Sequence, residues 1–211
     1  MKRFCIFYTF LAAILLSSAM VSKTNAQSSG AQETYTGTVI SYGTGLNSRT
    51  VSRTFTLNIN GQTSNERAQG FLNILQEDGQ DALQRAIDDD DLGRFSVGGN
   101  VGVPINVVRE TVADGKRRIF IVFERWTQFA ELRGGYRSLD YPFGVIELFI
   151  DEQTGKGEGT YIAAARIDFD YDEKKKQYQI EIENFATYPA RLLGVTRRVD
   201  RPARRGVKIS K

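Results

Sequence analysis

Two β-prone runs separated by only two residues constrain this chain more than any other feature. Residues 103–113 and 116–126 flank Asp114-Gly115. A two-residue hairpin loop that follows strand twist needs positive φ at both positions, and Asp-Gly accepts this well. Antiparallel pairing is therefore expected at the middle of the chain. Residues 143–151, 159–171, 177–185 and 190–196 also read as strands. So do 34–42 and 51–59, which form a hairpin around Gly43-Thr44-Gly45. In the first of these, Tyr35 and Val39 share one face, and Thr36, Thr38, Ile40 and Tyr42 share the other. A tight turn at Lys174-Lys175 would set Phe169 opposite Ile180, Ile167 opposite Ile182 and Asp168 opposite Glu181. The matched apolar pairs support that register.

Between residues 60 and 93 the apolar period changes. Ala68, Phe71, Leu72 and Leu75 recur at helical spacing behind a Thr63/Glu66 capping box. Gly79 interrupts, and Ala82, Leu83, Ala86 and Ile87 make a second stripe. The expected fold is α+β: one mainly antiparallel sheet, a barrel or strongly curved, with two short amphipathic helices inserted after the first hairpin.

The first 26 residues read as a secretory signal peptide. Lys2 and Arg3 precede an apolar run over 4–16, and small residues follow to Thr24-Asn25-Ala26. The run is shorter than the roughly 20 residues a membrane span needs. Cys5, the one cysteine, would leave with the signal, so the exported chain must hold together without disulfides. An export product in the periplasm or the medium is expected. It would have a flexible leader at 27–33, one domain over 34–196 and a basic, disordered tail over 197–211.

Composition limits the chemistry. The chain has no histidine, which excludes Ser-His-Asp and Cys-His catalysis and imidazole metal sites. The formal charge of +3 does not point to nucleic acid. It resides in the signal and in the tail, where Arg197, Arg198, Arg201, Arg204, Arg205, Lys208 and Lys211 face only Asp200; residues 27–196 are acidic. Such a tail suits anionic envelope polymers or lipid headgroups.

Three constellations stand out. Glu124, on a face with Phe120 and Val122, and Glu147, between Val145 and Phe149, would be carboxylates in apolar settings. Two such groups are the minimum equipment of a glycan hydrolase. The long connection over 127–142 carries Arg133, Tyr136, Arg137 and Asp140 beside Gly134-Gly135, residues suited to an anionic or sugar-like ligand. Asp168 and Asp170, with Glu181 opposite, would share a sheet face that either stays solvated or holds a cation. Asp88 to Asp91 lacks EF-hand spacing and reads as a solvated helix end. No pattern implies a cofactor. The expectation is a non-catalytic binding or envelope-associated domain, with a carboxylate-dependent glycan hydrolase as the alternative.

Overall fold

A computed structural model of the chain describes residues 32–43, 49–125, 137–172, 177–185 and 188–198. Its strands are β1 (Glu33–Ser41), β2 (Val51–Ile59), β3 (Gly93–Val97), β4 (Val103–Pro104), β5 (Val107–Ala113), β6 (Lys116–Glu124), β7 (Phe143–Asp151), β8 (Lys156–Asp172), β9 (Gln177–Asn184) and β10 (Ala190–Arg198). Two helices, α1 (Asn65–Asp78) and α2 (Gln80–Ile87), lie between β2 and β3.

All strands join one antiparallel sheet in the order β4-β3-β2-β1-β10-β8-β7-β6-β5, with β9 also on β8. The 17-residue β8 is shared: its first half lies between β7 and β10, and its second half pairs with β9. Asp114 and Gly115 take φ of 54° and 70°, and Ala113 pairs with Lys116, so the Asp-Gly turn forms as the sequence requires. The β8–β9 ribbon adopts the register expected from its apolar pairs, Ile167 opposite Ile182 and Phe169 opposite Ile180.

The sheet curls into a half-barrel. Its two terminal strands in pairing order, β4 and β5, are consecutive in the chain, with only Ile105 and Asn106 between them. The expected single strand over 103–113 thus changes partner midway. Ile105 donates its N–H to Gly93 O at 3.0 Å, and Asn106 donates to Val122 O at 3.2 Å, so the same segment reaches β3 and then β6.

The concave interior is filled by side chains. Tyr35 and Val39 share a face, as their spacing implies; that face points inward and joins Leu57, Ile121, Ile146 and Leu192 in one buried cluster. Four aromatic rings run through it: Phe95 lies 5.8 Å from Phe55, 6.0 Å from Phe123 and 5.1 Å from Tyr161, centroid to centroid. The rings have room because a partner position is glycine. Phe123 sits opposite Gly144, where a Cβ would fall 2.2 Å from the ring.

A second core forms on the outer face, where the helices pack on β6, β7 and β8. Phe71 and Leu75 of α1 and Leu83 and Ile87 of α2 meet Val122, Phe143, Val145 and Ile167. The N-cap of α1 differs from the expected capping box. Ser64, not Thr63, accepts from Arg67 N at 3.1 Å. Thr63 is instead drawn into strand-like pairing with β5: its N–H donates to Val108 O at 2.9 Å, and its hydroxyl accepts from Val108 N at 3.0 Å. Its backbone is therefore committed elsewhere. At the far end of the helices, Asp91 accepts from Gly93 N at 3.3 Å and Asp90 pairs with Arg67 at 3.1 Å, so the acidic run closes the helical segment.

Candidate functional site

Among the described residues, those singled out by sequence do not form one common site. Glu124 and Glu147 project from the outer face of neighbouring strands, but Glu124 is opposite Phe143 and Glu147 opposite Phe120. Four residues separate the two positions along the strands, about 13 Å. The buried Val122–Val145 pair stands between them. Glu147 is 4% exposed and ion-paired with Arg118, whose register position lies on the side away from Glu124. Glu124 accepts from Gln84 Nε2 at 2.6 Å and opens on a small polar pocket with Asp81, Arg85 and Asp88. Glycoside hydrolysis needs two carboxyl groups flanking one bond, and here each carboxylate has its own partner, Gln84 or Arg118, on opposite sides of the Val122–Val145 pair.

Of the long connection, Arg133 and Tyr136 lie outside the described residues. Arg137 opens a short 3-10 helix (Arg137–Asp140). Asp140 is exposed, and its carbonyl accepts from Gln80 Nε2 at 3.0 Å, tying this segment to the start of α2. On the ribbon, Asp168 faces Glu181 and Asp170 faces Gln179. Asp168 is held by Arg166 at 2.8 Å. Among the described residues, no group of three or more acidic, cysteine or histidine side chains is placed to hold a metal ion. Strand β10 runs to Arg198, so Arg197 and Arg198, expected in the tail, belong to the sheet; the remainder of the tail lies outside the described residues.

Arg197 belongs to an ionic group that closes one end of the interior. Arg117, Glu33, Glu110 and Tyr35 all point inward there. Arg117 Nη2 lies 2.7 Å from Glu33 Oε2 and pairs with Glu110, and Arg197 reaches Glu33 Oε1 at 2.7 Å. The Tyr35 hydroxyl donates to Glu33 at 2.8 Å and accepts from Arg117 at 3.0 Å. Burial opposes ionisation of Glu33, but hydrogen bonds from Arg117 and Tyr35 and the nearby guanidinium charges outweigh it, holding the carboxyl below its ordinary range. Burial also keeps the Tyr35 hydroxyl protonated well above the usual tyrosine range. Two carboxylates and two guanidinium groups balance in charge.

The more apolar feature with room for a ligand among the described residues lies outside the half-barrel. A cleft of about 850 Å³ runs along α1, bounded by β5 and β6 on one side and the β8–β9 ribbon on the other. Its sheet wall is apolar: Val107, Phe120, Val122, Ile167, Ile180 and Ile182. Its helix wall mixes Leu72 with Gln69, Gly70 and Asn73, and Arg109 and Arg118 contribute the guanidinium groups. It exists because α1 is narrow in its apolar contact. Only Phe71 and Leu75 of this helix are buried, so the sheet surface beside them is left partly uncovered. The sequence carried one sign of it. Gly70 stands in the middle of α1, where a glycine weakens a helix, and a Cβ there would meet nothing within 4 Å. Compared with known proteins, the chain matches no family model, no curated protein and no solved structure, so the site stands on its own geometry.

Proposed function

We propose that the chain is an exported, non-catalytic binding protein that takes an apolar ligand in the cleft along α1. The observation that carries this reading is the cleft itself. Its volume falls in the range of small-molecule sites, roughly 300–1,000 Å³, and its lining has the usual make-up of an apolar wall with few polar groups. Large apolar surface is costly to leave in water unless something covers it. The signal-like first 26 residues support export. The basic residues from Arg201 to Lys211 support attraction to anionic envelope polymers or lipid headgroups. The alternative, glycan hydrolysis, draws no support from the separate placement of Glu124 and Glu147.

The test is a titration of the chain from Gln27 onward with Nile red, a neutral apolar dye. Saturable binding with blue-shifted emission is expected. Gly70→Trp sets a large ring where the free chain has open space, and it should weaken binding at least about tenfold with the melting temperature retained. Undiminished binding by a folded Gly70→Trp variant would remove the cleft from consideration.

A further inference from the structure

The two arginines of the cleft differ in one respect that bears on the ligand. Arg118 is neutralised by Glu147. Arg109 is not ion-paired among the described residues: its guanidinium donates to neutral oxygens, Thr63 O at 2.8 Å and Asn65 Oδ1 at 2.7 Å. Glu66 lines the same cleft without pairing to it. Arg109 lies opposite Phe120 on the neighbouring strand and shares its strand face with Val107. A positive charge therefore adjoins an apolar wall, held in place by two hydrogen bonds to uncharged oxygens and without a direct ion pair. The second observation is Gly70. Gly70 lines the cleft, and no packing in the free chain calls for a glycine there, since a Cβ would meet nothing within 4 Å. The lining extends from Val107 and Arg109 on β5 across β6 to Ile180 and Ile182 on β9, the shape of a trough rather than a compact pit.

We infer that the cleft takes an anionic amphiphile, with its alkyl chain against Phe120, Val122, Ile180 and Ile182 and its head on Arg109. This rests on the cleft reading above and adds the chemistry of the ligand. The head is a carboxylate or phosphate oxygen accepting from the guanidinium, a charge-assisted bond stronger than a neutral one. The same chemistry is offered by a free fatty carboxylate and by an acyl lipid of an anionic membrane.

The experiment compares pyrenedodecanoate with its methyl ester, which has the same chain without the charge. The protein from Gln27 onward should bind the acid about tenfold more tightly than the ester. Arg109→Gln should remove that preference while ester binding stays unchanged. Arg109→Lys, which keeps the charge, should retain most of it. Melting temperatures of both variants report on folding. Equal affinity for acid and ester in the unaltered protein overturns the inference, as does an Arg109→Gln variant that weakens both probes alike. If Nile red still binds in either case, only the assignment of the head falls; if Nile red does not bind, the cleft reading falls with it. Sedimentation with phosphatidylglycerol vesicles separates the sources. Co-sedimentation abolished by Arg109→Gln assigns a membrane lipid, and free-acid binding without co-sedimentation assigns a free amphiphile.

Discussion

Arg117 reaches into the interior from β6 and holds two carboxylates that come from strands far apart in sequence, Glu33 on β1 and Glu110 on β5. Each of these side chains is less than a fifth exposed, so removing one partner would strand a charge in a poorly solvated place. The pH dependence follows from the sign of the shift. Glu33 ionises below its ordinary range in the folded chain, so its contribution is present above the unfolded value of about 4.3 and is lost as pH falls through the lower folded value. The melting temperature should therefore drop as pH is lowered from about 5 to about 3, and the drop should be shallower in Glu33→Gln. The variant starts from lower stability at neutral pH. Parallel melting curves across that range would show that the group does not couple folding to pH. Nothing in the sequence announced this cluster. The sequence pattern assigns Glu33 to a flexible leader and Arg197 to a tail, because a single charged residue at the edge of a β pattern gives no sign of a partner eighty or more positions away.

At the scale of elements, the legible features were those fixed by local periodicity. The Asp-Gly turn, the common face of Tyr35 and Val39 on β1 and the β8–β9 register each follow from a period of two and from turn chemistry. The structure shows all three. What stayed hidden depends on contacts between elements. The run over 103–113 reads as one strand, yet it changes partner at Ile105-Asn106, and the inward face passes there from Val103 and Ile105 to Val108 while Val107 turns to the outer core, a change of phase that a single-strand reading overlooks. Asn106 holds the junction. It is 2% exposed, its Nδ2 donates to Asp90 O at 2.7 Å, and its Oδ1 accepts from Glu124 N at 3.0 Å. The side chain thus ties the end of the helical segment to the last residue of β6. Asn106→Ala would leave a half-buried carbonyl and a half-buried amide without these partners, a loss of about 1–2 kcal/mol in urea denaturation. Asn106→Asp should rescue only the contact to Glu124 N. A loss below about 0.5 kcal/mol for the alanine variant would mean that water replaces both bonds. The candidate site was obscure for the same reason. Glu124 and Glu147 share an outer face as their alternation implies, but their distance depends on the β6–β7 register, which neither strand encodes alone.

At the scale of the whole molecule, the protein has two apolar cores that share β6, β7 and β8. One is the concave interior of the half-barrel, filled with aromatic rings; the other is the outer layer, covered by two helices. They should not be equally stable. The interior is pinned by a continuous ladder from β3 through β1 and β10 to β6, whereas α1 contributes two buried side chains and borders the open cleft. Local opening is cheapest where buried apolar contact is thinnest. Amide exchange in the folded protein should therefore show α1, around Phe71 and Leu72, opening at lower free energy than Ile121 on β6 or Ile146 on β7. A ligand that binds the cleft stabilises only the closed form of this layer. Pyrenedodecanoate at a hundredfold excess over its Kd should raise the opening free energy of α1 by about 2.7 kcal/mol while leaving β6 and β7 nearly unchanged. Equal protection of helix and strands in the free protein would show instead that the two cores open as one unit. The helix would then be a fixed wall of the trough, and binding would have to proceed through a cleft already open in the resting chain.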